Sequence, residues 1–286
     1  MTLKPLSRHI DHLNLGVFLG AVFLLTASLR LAQAKINPST NTLPTPIVYE
    51  YKTASFDGVG KWFLGREIAH FMSHQGAPWL EREERDTEEQ PSRLIDALNL
   101  KPGQQVGDVG AGSGYMSWRL AKAVGPSGRV YANDIQPEMI EILKTTVLNQ
   151  SLSTIIPVLG TVTNVNLPKA ALDLILLVDV YHECDHPFEM VRSMVSSLKP
   201  NGRLVLVEYR GEDRWVPIKP LHKMTEEQVR REFSLHPLHF VTNLTVLPRQ
   251  HILIFSKDKT PKQKIIKSKC SAKRINAETN RSDPPH

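Results

Sequence analysis

At 286 residues, with 41% apolar and 22% charged side chains, the chain has material for one sizeable globular core and ends to spare. The formal charge of +6 lies wholly at the C-terminal end, where Lys257–His286 hold nine Lys/Arg against three Asp/Glu. The rest is neutral, which excludes the electrostatic footprint of a nucleic-acid-binding domain, and two cysteines (Cys184 and Cys270, both read as free) exclude a disulfide framework.

Residues 1–34 stand apart from any domain. Lys4 and Arg8 precede the apolar run LGVFLGAVFLL (Leu15–Leu25), and Ala32 and Ala34 follow at signal-peptidase spacing. The run suits a secretory signal and falls short of the about 18 residues of a membrane span. Three readings stay open: export to the periplasm or beyond after cleavage at Ala34, membrane association through an uncleaved anchor over residues 13–29, or a buried helix in a cytoplasmic protein. Residues 35–54, with NPSTNTLPTP, read as an extended linker. Residues 55–90 are expected to form a helical lid, with Trp62, Phe63, Ile68 and Phe71 on one stripe. Their second half, WLEREERDTEEQP, reads as a solvated mixed-charge face.

From Pro91 to Lys257 the pattern alternates. SRLIDALNL is helical, QQVGDVG a strand, YMSWRLAKAV a helix stopped by Gly125 and Pro126. RVYAND is the second strand, and Pro137 opens a helix in the favoured first position. TIIPVLG is the third strand, and LDLILLVDV is apolar enough to require cover on both faces. The helix PFEMVRSMVSSL and the strand RLVLVEY come next. Thr225 with Gln228 makes a capping-box pattern before EEQVRREF. HFVTNLTVL and HILIFS are joined so closely that they pair antiparallel. The predicted fold is α/β: an open, mostly parallel sheet with helices on both faces. Such sheets bind ligands at the carboxyl ends of their strands, which aligns Asp108, Asp134, the turn after Gly160, and Asp179. The tail, residues 258–286, has a disordered composition.

The glycine turn VGDVGAGSGYM (Val106–Met116) narrows the ligand. A dinucleotide turn places its third glycine where Tyr115 stands, and a phosphate loop needs a Lys-Ser or Lys-Thr that is absent. Asp108, two residues before Gly110, would repel pyrophosphate and attract an ammonium group. With Ala111, Gly112 and Gly114, the turn fits an adenosine-linked cofactor without phosphate.

VGDVGAGSGY resembles the first motif of the class I S-adenosylmethionine-dependent methyltransferases, and the likeness runs from Pro91 to Lys257. That resemblance implies a seven-stranded Rossmann-like sheet in the order 3-2-1-4-5-7-6, with the last strand antiparallel, and S-adenosyl-L-methionine as cofactor. It further implies Asp134 and the adjoining Ile135 at the ribose, Asp179 at the fourth-strand position, and Gly160–Thr161 near adenine. Thr161 departs from the family there, because an acid often occupies its place. FDGVGKWFLGREIA, GAPWLERE and VPIKPLHKM resemble a bacterial subgroup without an assigned acceptor.

For chemistry at the acceptor, DVYHECDHP offers His182 and Glu183, and Glu208 follows on the fifth strand. His182, with an unperturbed pKa near 6.5, is the expected base. His182 and His186 at i, i+4 can be drawn as a metal pair, but no metal is expected. Tyr181 and Trp118 are weighed as aromatic walls for the sulfonium. The expected activity is methylation of a small-molecule acceptor. A cofactor-binding protein without turnover and a protein or RNA methyltransferase remain alternatives, and oligomeric state is not readable.

Overall fold

The computed structural model describes residues 48–258. The leader and possible anchor (1–34, 13–29), most of the linker and nearly all of the tail, with Cys270, lie outside the described residues. Among those described, Cys184 is a free thiol and no helix is long and apolar enough to cross a membrane.

The described chain opens with a small antiparallel sheet of β1 (Glu50–Tyr51), β2 (Gly58–Phe63) and β3 (Arg66–Ala69). This corrects the helical stripe expected for Trp62, Phe63 and Ile68. Phe63 pairs with Arg66 across a two-residue turn, Leu64–Gly65, with φ of 48° and 90°. Positive φ at both positions is the hairpin turn whose twist matches the flanking strands. Three glycines within FDGVGKWFLG also deny a helix its propensity. Only α1 (Ala77–Leu80) and α2 (Glu84–Glu88) make the second half of this segment helical.

The main series follows: α3 (Pro91–Leu98), β4 (Gln105–Val109), α4 (Ser117–Val124), β5 (Arg129–Asp134), α5 (Pro137–Asn149), β6 (Ile155–Leu159) and β7 (Leu172–Val178). It continues with α6 (Pro187–Ser197), β8 (Leu198–Arg210), β9 (Lys223–Met224), α7 (Glu226–Phe233), β10 (Leu238–Leu244) and β11 (Gln250–Lys257). The sheet order is β10-β11-β8-β7-β4-β5-β6, with the two-residue β9 added beside β8. Neighbours are parallel except for the two pairs that involve β11. Taken over the seven long strands, this is the order 3-2-1-4-5-7-6.

Side-chain alternation along β7 divides the core. Leu174 and Leu176 pack with Leu94, Leu98, Leu120 and Leu143 from α3, α4 and α5. Ile175 and Leu177 pack with Met190, Val191, Met194 and Phe233 from α6 and α7. All four strand residues are fully buried, which is why this segment reads as a continuous apolar run. Pro137 and Pro187 open α5 and α6 at the first turn, where proline costs no hydrogen bond.

Thr225 caps α7 by accepting from the Gln228 amide at 3.1 Å. The reciprocal half of the expected box is not made. Gln228 Nε2 instead donates to Leu64 O (3.2 Å) and Glu232 Oε1 (2.8 Å), satisfying the hairpin turn. Next to it, Arg66 from β3 grips Glu232 with two bonds, Nε to Oε1 at 2.9 Å and Nη2 to Oε2 at 3.1 Å. Its third arm donates to His182 O at 3.0 Å, and Tyr181 Oη donates to Glu232 Oε2 at 2.7 Å. Glu232 is completely buried. Arg66→Ala therefore leaves a buried carboxylate without its cation and is expected to cost about 3–5 kcal/mol in urea unfolding. A loss below about 1 kcal/mol would mean that the hairpin is not docked on α7 in this way.

Candidate active site

The carboxyl ends of β4, β5 and β7 open onto a cavity of about 760 Å3. Asp108, Gly110, Ala111, Gly112 and Tyr115 line it from β4 and the turn after it, Asp134 and Ile135 from β5, and Asp179 from the end of β7. The turn after β6 contributes Val162. Gly160 and Thr161, expected near adenine, are not on the wall. The Gly160 amide is spent on Asp134 O at 2.8 Å, and Thr161 is exposed and bridges back to Asn164. Gly114 also stays off the wall, turning the chain into α4 with φ 93°. Of the two aromatics considered, Tyr181 is fully buried and Trp118 faces a separate hollow.

The turn is built by backbone that only glycine permits. Gly110 has φ 72°, and a Cβ there would collide with Val180. The Gly110 and Ala111 amides both reach Asn133 O at 2.9 Å, tying the turn to β5. Asp134 accepts from the Gly112 and Gln136 amides at 3.0 and 2.9 Å. Asp108 accepts from Ser117 Oγ at 2.6 Å. Asp179, at φ 54°, accepts from Gln250 Nε2 at 2.6 Å, while its Oδ1 is buried with no hydrogen-bond partner.

Burial makes all three carboxyls reluctant to ionise. It pushes Asp108 up to about 6 against the Ser117 hydroxyl and the Arg85 charge. It raises Asp134 against the amides of Gln136 and Gly112. Asp179 is held well above the usual carboxylate range by burial and by the charges of Glu89 and Glu208.

The mixed-charge run is a solvated face on one side only: Glu81, Glu83, Glu84, Asp86 and Thr87 are exposed, while Arg85 and Glu89 are buried. Arg82, Arg85 and Glu89 line the cavity, and Arg85 and Glu89 are each only 6% exposed. Arg85 Nε donates to Glu89 Oε2 at 2.7 Å, Arg82 Nη2 to Glu89 Oε1 at 2.8 Å, and Tyr209 Oη to the same oxygen at 3.2 Å. Arg82 Nε is buried without a partner. Charge periodicity cannot distinguish this buried network from a wet face, because the wall that buries it comes from β4, β7 and β8.

His182 lies just beyond β7 and is 2% exposed. Its Nδ1 meets Glu208 Oε2 at 2.7 Å, and Glu208 Oε1 accepts the Tyr181 amide at 2.8 Å. Burial alone would lower the His182 pKa, but Glu208 and Glu183 outweigh it and raise it to about 10. The expected base, poised near 6.5, instead holds its proton at neutral pH. Glu208 is fully buried and off the cavity wall, so it positions His182, whereas Glu183 lines the cavity. His186 pairs with Asp185 at 2.8 Å, not with His182. The partner of His182 is His222, with Nε2 and Nδ1 3.0 Å apart. His222, Asp57, Arg82 and Arg85 are wall residues that the sequence reading does not single out, although the segments VPIKPLHKM, FDGVGKWFLG and GAPWLERE hold the first three of them.

Residues 107–206 match the methyltransferase-domain family. With the strand order, this gives residues 107–206 a methyltransferase domain on the Rossmann-like sheet of a solved S-adenosylmethionine-dependent methyltransferase. Over 131 residues it is 25% identical to the ubiquinone/menaquinone biosynthesis C-methyltransferase UbiE of Laribacter hongkongensis, covering 46% of this chain and 52% of that protein. The chain spans about half the length of the curated relatives it matches. A SAM-dependent methyltransferase from Aquifex aeolicus superposes with a TM-score of 0.62 at 22% identity, over 65% of this chain and 99% of that one. The [4+2]-cyclase SpnF superposes at 0.51 with 16% identity, over 59% and 81%. At such identities the likeness is one of fold, and one fold hosts different chemistries.

The residues present suit S-adenosyl-L-methionine, the cofactor that the sequence resemblance implies. A glycine cradle closed to any Cβ, a buried carboxylate oxygen with no partner on Asp179, and Asp108 facing the same cavity supply close backbone approach and negative charge. This arrangement has a cost. The unfolded chain releases the Asp108 proton near pH 3.8, while the folded chain keeps it to about 6, so stability falls as pH rises through that window. Asp108→Asn is expected to stabilise the protein at pH 7, by up to about 3 kcal/mol, with the gain vanishing near pH 4. Urea unfolding at the two pH values checks this, and a loss at pH 7 would show the carboxylate to be compensated.

Proposed function

We propose that the chain methylates a small-molecule acceptor bound in the cavity between the strand ends and the segment 57–90. The reading rests on one observation: the carboxyls of Asp108, Asp134 and Asp179 and the glycine turn converge on one cavity. When bound, the cofactor supplies an activated methyl group on a sulfonium. Asp134 would hold the ribose hydroxyls, and Asp108 and Asp179 the ammonium group. Arg82 and Arg85, on the same wall, would face the cofactor's carboxylate. Ile135 and Val162 offer apolar edges for the adenine. Holding donor and acceptor in line can supply roughly 7–11 kcal/mol of the barrier, so a dedicated base is not required, and the protonated state of His182 is no obstacle. A concave pocket lined mostly by apolar atoms in a neutral body favours a small acceptor over RNA. We also read residues 1–34 as an export leader, which mass spectrometry of the mature N-terminus tests.

Calorimetry with S-adenosylmethionine should give one site. Asp134→Ala is expected to weaken it at least about tenfold, through the loss of charge-assisted hydrogen bonds to the ribose. Affinity should fall below about pH 6, because Asp108 must be ionised to hold an ammonium group and its carboxyl is raised to about 6. Release of S-adenosylhomocysteine on a panel of phenolic and quinol acceptors, chosen from the named relatives, reads turnover. Binding of a dinucleotide in place of S-adenosylmethionine would overturn the assignment, and cofactor binding with no turnover on the panel would favour a non-catalytic protein.

A further inference from the structure

One wall of the cavity carries a cluster to which the methyl transfer proposed above assigns no step. His182 Nε2, His222 Nδ1 and Glu183 Oε1 form a triangle with sides of 3.0, 3.5 and 3.7 Å. A point about 2 Å from all three atoms lies at its centre, which is the bond length of a divalent transition metal to imidazole and carboxylate. We propose that His182, His222 and Glu183 bind one divalent transition-metal ion of the zinc or cobalt type, with an open coordination side toward the cavity.

The outer nitrogens give the independent argument. His182 Nδ1 is 2.7 Å from the buried Glu208 carboxylate, and His222 Nε2 is 3.1 Å from Asp57 Oδ2. Behind His182, the Glu208 carboxylate holds the proton on Nδ1 and turns the Nε2 lone pair toward the metal, the usual second layer of a metal–histidine site. Asp57 Oδ2 stands near His222 Nε2 without hydrogen-bond geometry. In the metal-free chain the 3.0 Å contact between His182 Nε2 and His222 Nδ1 holds one proton, with Glu183 Oε1 at 3.5 and 3.7 Å. A divalent ion at the centre of the triangle would displace that proton.

The surroundings hold the ligands in place. His222 is carried by the segment just before β9, and Glu183 is fixed through Oε2 by the Met72 amide at 3.2 Å. Lys219 is the nearby ammonium, and it is engaged with Asp57 Oδ1 at 2.6 Å. All three ligands and Asp57 line the same cavity as the glycine turn. Two imidazoles with one carboxylate select zinc-like ions over magnesium or calcium, which prefer oxygen alone. Three protein ligands leave room for a water or an oxygen or sulfur atom of a bound molecule.

The test uses the full chain without a histidine tag, stripped with chelator and titrated with Co2+. One equivalent should bind and give the visible bands of a site with nitrogen ligands and low coordination number, and Zn2+ should bleach them. His222→Ala and Glu183→Gln should each weaken Co2+ by at least about 100-fold, and Glu208→Gln by about 10–100-fold. His239→Ala, at an exposed histidine elsewhere, should change nothing. Circular dichroism of each variant separates lost ligands from lost folding, and two independent ligand variants guard against one failing to fold. Retained binding in folded His222→Ala and Glu183→Gln would overturn the proposal, as would a spectrum of fully hydrated cobalt, which assigns the cluster to a shared proton. S-adenosylmethionine affinity measured on the stripped protein keeps the outcomes apart. Cofactor binding without metal binding removes only the ion, and metal binding without cofactor binding removes only the methyltransferase reading.

Discussion

The constraint on which the structure turns is the crowding of carboxylates at the ends of the central strands. Asp108, Asp179, Glu208 and Glu89 are drawn into a volume that water does not fully reach. A buried carboxylate without a counter-charge is costly, so the protein answers each with a cation or a proton. Arg82 and Arg85 stand beside Glu89, His182 beside Glu208, and Arg66 beside Glu232. Asp108 and Asp179 are left with elevated pKa values and spare acceptor capacity, which is the state expected of groups waiting for a charged ligand. Stability is given up there in favour of binding.

That balance explains why the segment before the α/β series is not an optional cover. The β2–β3 hairpin docks through Arg66, while Arg85 on α2 and Arg82 in the link before it sit beside the buried acids. Asp57, at the start of the hairpin, stands behind His222. The cavity is thus made jointly by the strand ends and by a segment with a fold of its own.

The sheet could be read from the sequence because its determinants are local. Prolines at helix starts, Gly125 at a helix end and the unbroken apolar run of β7 each act within a few residues. The glycine turn and the three aspartates were likewise in register with strand ends. What was missed depends on distant partners. His182 and His222 are 40 positions apart, and nothing in either neighbourhood announces the meeting. The run WLEREERDTEEQP has the composition of a wet face, and only a wall assembled from other elements buries Arg85 and Glu89 within it. The hairpin was mistaken for a helix because Trp62, Phe63 and Ile68 satisfy either period, although the glycines among them favour strands and a tight turn. His182 was taken for a base at its solution pKa, which a fully buried carboxylate behind the ring changes altogether.

The shared family segment, residues 107–206, ends before His222 and begins after Arg82 and Arg85. That stretch holds the glycine turn and the three strand-end aspartates together with His182 and Glu183, and leaves out Asp57, Arg82, Arg85 and His222. Two proteins aligned over that stretch can agree on the methyl source and still differ entirely in what they modify. In this chain the cavity walls contributed by residues 57–89 and 209–222 are the ones such an alignment does not reach.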